Sequence, residues 1–160
     1  MDCDFYDRAA VATDLNSVCD LGAIAFSNFG DYRKTIAYWF EQPSSEVWVA
    51  CKACSVVGFV ITAIGFESAN NADMLVALAV DPAHQRNGIG RALIAGVLKR
   101  RADADGRLSV GCHLNVADDN RAALALFKTL GFQTFGCEST YPSGQRALRL
   151  IKEAGTRVTG

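Results

Sequence analysis

The chain has 160 residues, half of them apolar and 21% charged, with a formal net charge of -1. That is the size of one compact domain with ample material for a core. A charge so near zero, with no basic run longer than Lys99-Arg100-Arg101, gives no electrostatic reason to expect nucleic acid.

The longest apolar stretch, Val56 to Phe66, is too short to span a bilayer. Asp2, Asp4 and Asp7 stand where a secretory peptide would be basic, so a cytoplasmic protein without a membrane partner is expected. Phe5 to Ala10 reads as a first strand. Asp14 is placed to cap a helix in which Leu15, Val18, Leu21 and Ala25 repeat at helical spacing, and Asn28-Phe29-Gly30 ends it. Asp31 is placed to cap a second helix, Tyr32 to Glu41, with Ile36, Trp39 and Phe40 inward and Pro43-Ser44-Ser45 closing it. Val47 to Cys51 and Val56 to Phe66 read as a hairpin, and Glu67 to Ala72 as a polar loop. Met74 to Val80 is continuously apolar, as a strand covered on both faces must be, and Asp81-Pro82 stops it. A long helix follows, with Ile89, Ala92, Leu93, Gly96 and Val97 on one face and Arg91, Lys99 and Arg101 toward water. Arg107 to Val116 is the next strand. Asp118 or Asp119 can cap the helix after it, whose stripe is Ala123, Leu126, Phe127 and Leu130 and whose end is Gly131. Phe132 to Cys137 and Arg146 to Ile151 form a last hairpin across Tyr141-Pro142-Ser143-Gly144-Gln145. One domain therefore spans residues 1 to 151, and 152 to 160, with little to bury, is expected to be loose.

Six cysteines suggest neither disulfides nor a metal. Cys3, Cys19, Cys51, Cys54, Cys112 and Cys137 are scattered and mostly sit in apolar strands or helix faces, where a free thiol behaves as a small hydrophobe. Cys51-Lys52-Ala53-Cys54 lacks the second ligand pair that structural zinc needs, and it falls at the hairpin turn.

The segment Leu78 to Leu93 carries the chemistry. It joins a buried strand to a glycine-rich helix start, where Gln85-Arg86-Asn87-Gly88-Ile89-Gly90 lets unpaired backbone N–H groups converge on an anion. A phosphate fits there. A Walker loop would need Lys-Ser/Thr after Gly90, where Arg91-Ala92 stands, and a dinucleotide fingerprint would want glycine in place of Leu93.

The remaining pattern, Gln/Arg-x-x-Gly-x-Gly/Ala, resembles the acetyl-CoA loop of the GNAT superfamily of N-acetyltransferases. Leu114 to Phe132, a strand, Asn120, a helix and a Gly-Phe exit, is similar to that family's second hallmark. Among its members, Val80-Asp81-Pro82-x-x-Gln85-Arg86-x-Gly88 and Asn120-x-Ala122-Ala123-Leu124-Ala125-Leu126 look like ribosomal-protein alanine acetyltransferases. The resemblance implies an α/β (α+β) fold with a mixed, mostly antiparallel central sheet of six to seven strands and about four helices. It also implies a sheet splayed between Ala77–Val80 and His113–Val116, with the pantetheine arm of acetyl-CoA in the gap beside Leu78, Ala79 and Val80.

The chemistry implied is direct attack of a neutral amine on the acetyl-CoA thioester, with no metal. Backbone N–H near Ala79 or Val80 would meet the acetyl oxygen. Gln85, Arg86, Asn87, Gly88, Ile89, Gly90 and Arg91 would hold the pyrophosphate, the two arginines adding charge. Asn120 would touch the cofactor arm. The chain departs from the family where side-chain catalysis usually sits: Phe127 stands in place of an acidic Tyr and is expected to face the cofactor sulfur, and Asn115 replaces a carboxylate. Asp73 is the one carboxylate on the central strand, at its outer end. His113, on the same strand face as Asn115, is the candidate base, with a packed histidine as the plain alternative. Tyr141 is the candidate acid or acceptor-pocket wall. A thiol of pKa about 8.5 leaves readily without an acid. The base matters more: at pH 7 roughly a tenth of an α-amine is neutral, against roughly one part in a few thousand of a lysine, a handicap of about 3 kcal/mol. That favours an α-amine of a peptide or protein, or a small amine of lowered pKa, as acceptor. Loops around Asn28–Arg33, Glu67–Asn71 and Glu138–Ser143 would form its wall. A homodimer is compatible with the sequence, and a non-catalytic acyl-CoA-binding regulatory or sensor module is the alternative.

Overall fold

In the computed structural model the described residues are 4–67, 72–104, 106, 111–141 and 143–153. The elements follow the order the sequence predicts. They are β1 (Phe5–Ala9), α1 (Leu15–Ala25), α2 (Arg33–Glu41), β2 (Ser45–Lys52), β3 (Ser55–Glu67), β4 (Ala72–Val80), α3 (Ile89–Ala104), β5 (Cys112–Ala117), α4 (Arg121–Thr129), β6 (Gln133–Thr140) and β7 (Arg146–Lys152). The seven strands form one sheet in the order β1-β2-β3-β4-β5-β7-β6. All neighbours are antiparallel except β4 and β5, which run parallel. Lys152, expected to open the loose tail, belongs to β7, and residues 154–160 lie outside the described residues. So do 107–110 of the strand expected from Arg107, and 68–71 of the polar loop.

Alternation along the strands sorts apolar side chains into two cores. On one face Val49, Phe59, Ile61, Ala77 and Ala79 pack against Val18 and Leu21 of α1 and Ile36 of α2. On the other, Val60, Leu75, Leu114, Val116 and Leu150 pack against Ile89, Leu93, Ile94 and Val97 of α3 and Phe127 of α4. In β4 the alternation breaks. Leu75 pairs with Thr62 and Ala77 with Ile61, which leaves Val76 as an extra residue, a β-bulge. The bulge flips the phase of the pleat. Leu75 therefore faces α3 while Ala77, two residues on, faces α1.

The parallel contact between β4 and β5 is short, Asp73 with Cys112 and Met74 with His113. Beyond it the two strands part. Asp73, 2% exposed, anchors this join: its carboxylate takes Arg101 Nε of α3 at 2.8 Å and Gly65 N–H at 2.8 Å, and its own N–H donates to Gly111 O at 2.9 Å. Arg101, expected to face water, is drawn inward because a buried carboxylate requires a charged partner.

Two helix caps differ from expectation. Asp14 makes no cap bond to α1. It is held instead by Arg8, whose guanidinium donates to both oxygens at 2.7 and 3.0 Å, and by Val11 N–H at 2.8 Å. At α4, Asn120 rather than Asp118 or Asp119 is the cap, accepting from Ala123 N–H at 3.2 Å. Asp31 does accept from Arg33 N–H at the start of α2, at 3.2 Å. Cys19, Cys51 and Cys112 are buried free thiols and Cys54 and Cys137 exposed ones. No helix among the described residues is long and apolar enough to cross a membrane.

The β2–β3 turn puts Ala53 at φ +50° and Cys54 at φ +66°, the left-handed pair that a two-residue hairpin needs and that Asn-Gly adopts with least strain. Replacing Ala53 by Asn together with Cys54→Gly is expected to stabilise the fold by about 1 kcal/mol, read as a higher urea midpoint. A second expectation concerns acid. The Arg8 hydrogen bonds hold the Asp14 carboxyl below its usual range, so its contribution is complete above the unfolded value of about 3.9 and disappears as pH falls through the lower folded value. Asp14→Asn should flatten the loss of thermal stability below about pH 4 relative to the native chain.

Candidate active site

The end of β4 is tied down before the chain enters α3. Asp81 N–H donates to Val57 O at 2.8 Å, and the Asp81 carboxylate accepts Ala83 N–H at 2.9 Å across a single 3-10 turn, Pro82–His84. Gln85 then reaches back, its Nε2 donating to Val80 O at 3.1 Å, and Asn87 Nδ2 donates to His84 O at 3.3 Å. These two side chains therefore build the loop's shape. Arg86 takes φ +67° and Gly88 φ +79°. The α3 ladder opens with Ala92 N–H on Gly88 O at 3.0 Å, so the N–H groups of Gly88, Ile89, Gly90 and Arg91 precede it and are available to an anion.

The two glycines do different things. A Cβ on Gly88 would meet nothing within 4 Å, so this residue presents bare backbone to open space. A Cβ on Gly90 would sit 3.7–3.8 Å from Val80, Leu126 and Leu78, in ordinary contact where α3 rests on β4 and α4. Arg91 turns away from the loop, donating to Thr129 Oγ1 at 2.7 Å. Of the two predicted cationic side chains, exposed Arg86 is the one left at the loop.

Where β4 and β5 part lies a cleft of about 420 Å³. One wall is Met74 to Ala77 with the Val76 bulge, the opposite wall His113 to Ala117, and Asn120 stands beside it. Phe26, Phe29, Tyr32, Thr35, Ile36 and Trp39 from the α1–α2 region cover it, with Tyr141 and Arg149 from the β6–β7 hairpin. Phe29 and Tyr141 meet at 5.0 Å between ring centroids, so the α1–α2 loop touches the β6–β7 hairpin, and within that loop Phe26 and Tyr32 lie 5.4 Å apart. His113 is buried at 5% exposure, Asn115 is exposed and Tyr141 half-buried. Burial, with Tyr32 nearby, pushes the Tyr141 hydroxyl above its ordinary pKa and keeps it protonated.

The structure thus brings His113, Asn115, Asn120 and Tyr141 to one cleft. It does not bring Phe127 there. That ring is 4% exposed, in the α3–α4 core, and edge-on to Phe132 at 5.4 Å. Nor do Leu78, Ala79 or Val80 line it. They pair with Val60, Phe59 and Gly58 of β3, and Leu78 and Val80 pack toward α3. The stretch of β4 that reaches the cleft is earlier, at Val76 and Ala77. Sequence reasoning missed Arg149, although a lone arginine inside Ala147-Leu148-Arg149-Leu150-Ile151 is a visible interruption. Among the described residues no group of three His, Cys, Asp or Glu could hold a metal.

Residues 15–132 match the Acetyltransferase (GNAT) family. The chain belongs to that family. It is also 38% identical over 80 residues to the N-alpha-acetyltransferase RimI of Mycobacterium tuberculosis, a stretch covering 49% of this chain and 47% of that protein. The chain thus spans less than half the length of the curated relatives it matches. The fold is similar to the ribosomal-protein-alanine N-acetyltransferase from Brucella melitensis, with TM-score 0.78 and 20% identity over 92% of this chain and 99% of that one. It is likewise similar to Arabidopsis thaliana NAA60 in complex with acetyl-CoA, with TM-score 0.73 and 16% identity over 92% and 97%.

The unequal glycines give a test. Acetyl-CoA is expected to raise the melting temperature of the native chain and of Gly90→Ala, whose methyl has room. In Gly88→Glu the shift should vanish, because the side chain and its charge occupy the anion's place. An equal shift in all three proteins would disprove the loop as the cofactor site.

Proposed function

We propose that this protein transfers an acetyl group from acetyl-CoA to a primary amine. The observation that carries this reading is that one strand, β4, ends in the anion loop and opens into the cleft at its bulge, so cofactor and acceptor sites share a single rigid support. The N–H groups of Gly88 to Arg91, with Arg86, would take the pyrophosphate. The Asn120 carbonyl is engaged with Ala123 N–H, which leaves its amide NH2 end to meet the cofactor arm. The thioester brings an already activated acetyl group.

Backbone N–H at Val76 or Ala77, on the cleft wall, would stabilise the acetyl oxygen as charge develops there. His113 would accept the amine proton, and Asn115 beside it would hold the amine or an intervening water by hydrogen bonding. Tyr141, kept protonated by burial, can donate to the departing sulfur or hold the acceptor. Phe127 lends packing, and departure of CoA as thiolate at a pKa of about 8.5 manages without a hydroxyl there.

The test is release of free thiol from acetyl-CoA on addition of amines. His113→Ala is expected to lower turnover by about 10²-fold or more, flatten the pH profile and leave the acetyl-CoA thermal shift intact. A native pH profile in that variant would return His113 to packing. Thermal stabilisation by acetyl-CoA without thiol release for any amine would mean binding without transfer.

A further inference from the structure

We propose that the acceptor carries a carboxylate next to its amine and an apolar body, and that Arg149 is the residue that binds the carboxylate. The proposal rests on the acetyl-transfer reading and narrows it to one substrate class, amino acids with large apolar or aromatic side chains.

The sheet itself separates the two ligands. Alternation puts Leu114 and Val116 of β5, with Leu148 and Leu150 of β7, on the face covered by α3 and α4. His113 and Asn115 alternate with the first pair and Arg149 with the second, so all three point to the opposite, α1–α2 face. The register confirms their adjacency, since Arg149 stands directly across from Asn115. The phosphate loop opens α3 on the other face. Arg149 is therefore placed to serve the acceptor rather than the phosphates.

The lining supplies the second argument. Among the described residues, the cleft wall includes one arginine, Arg149, and no aspartate or glutamate. A polyamine or other polycationic acceptor would find no counter-charge there. Arg149 makes an interaction of its own within the fold, yet a guanidinium presents five N–H donors and can serve a second acceptor, for which a planar carboxylate is the best geometric match. In the same cleft, Phe29, Tyr32, Trp39 and Tyr141 offer an apolar wall of aromatic rings. The volume, about 420 Å³, is in the range of small-molecule sites.

The arrangement also bears on the missing carboxylate base. A cation near the amine favours its neutral form, as does burial among aromatic rings. An ammonium lacking a carboxylate would be repelled, whereas the carboxylate brings the zwitterion in and Arg149 then eases loss of the ammonium proton to His113 or solvent. The neutral amine attacks the thioester carbon, the N–C bond forms, the C–S bond breaks, and the second amine proton leaves with the sulfur as CoA thiol.

Phenylalanine, phenylalanine amide and 2-phenylethylamine share the amine and ring and differ in the carboxylate. With acetyl-CoA and the full chain, kcat/KM for phenylalanine is expected to exceed that of both analogues by about tenfold or more, the worth of a hydrogen bond to a charged group. Arg149→Gln should raise KM for phenylalanine by a similar factor while the acetyl-CoA thermal shift is kept, and Arg149→Lys should recover part of the loss. Equal rates for the three amines, preference for the amide, or acetylation of other amines but none of these would overturn the proposal while leaving acetyl transfer standing. No thiol release with any amine would instead remove the acetyl-transfer reading, and this proposal with it.

Discussion

Two residue pairs hold the halves of the sheet in parallel contact, and the ion pair at Asp73 holds those two pairs. A carboxylate 2% exposed is costly in an apolar interior unless its charge is matched and its lone pairs are used. Arg101 from α3 and the Gly65 N–H from β3 do both. The result joins α3, β3, β4 and the entry to β5 at one point. β5 is held on its far side by β7 along its whole length, so it can leave β4 after Met74 without losing its ladder. A longer parallel contact would close the cleft, and a weaker one would let the halves come apart.

From that point the site is built largely of backbone. The loop presents the N–H groups of Gly88 to Arg91 ahead of the α3 ladder, its shape is set by Gln85 and Asn87 bonding to nearby carbonyls, and the bulge sets Val76 in the cleft wall. Such a site tolerates changes in side chains that a catalytic triad would not. Asn115 and Phe127 offer neither a carboxylate nor a hydroxyl, yet the fold and the cleft are intact around them. The proposed acetyl transfer lends itself to this, because a thioester is activated before it arrives and its leaving group needs little help.

Element order, both hairpins and the strand–loop–helix junction from Asp81 to Gly90 are legible in the sequence, because hydrophobic period and turn residues are local signals. Asp81-Pro82 and the two glycines marked the loop without any knowledge of tertiary contacts. The bulge was not legible: Met74 to Val80 is apolar throughout, so its pattern is the same whichever way each residue points. For the same reason the pattern does not single out Met74 to Ala77 as the part of β4 that lines the cleft. Arg101 looked solvated because its position on the helix is polar, and only the fold reveals Asp73 beneath it. Asp118 and Asp119 were as good capping residues as Asn120 on sequence grounds. The choice among them is a matter of where the chain turns.

The Val76 bulge has one further consequence, for inheritance. It is a matter of residue count, so no substitution removes it. Deleting Val76 would restore a regular pleat and still leave Leu75 opposite Thr62 and Ala77 opposite Ile61, with Ala77, Leu78, Ala79 and Val80 on the faces they hold now. The two cores therefore do not depend on the bulge, and only the cleft wall does. Descendants that lose His113 or Tyr141 by point mutation would still inherit the slot and the glycine loop, whereas the loss of a single codon would remove the bulge.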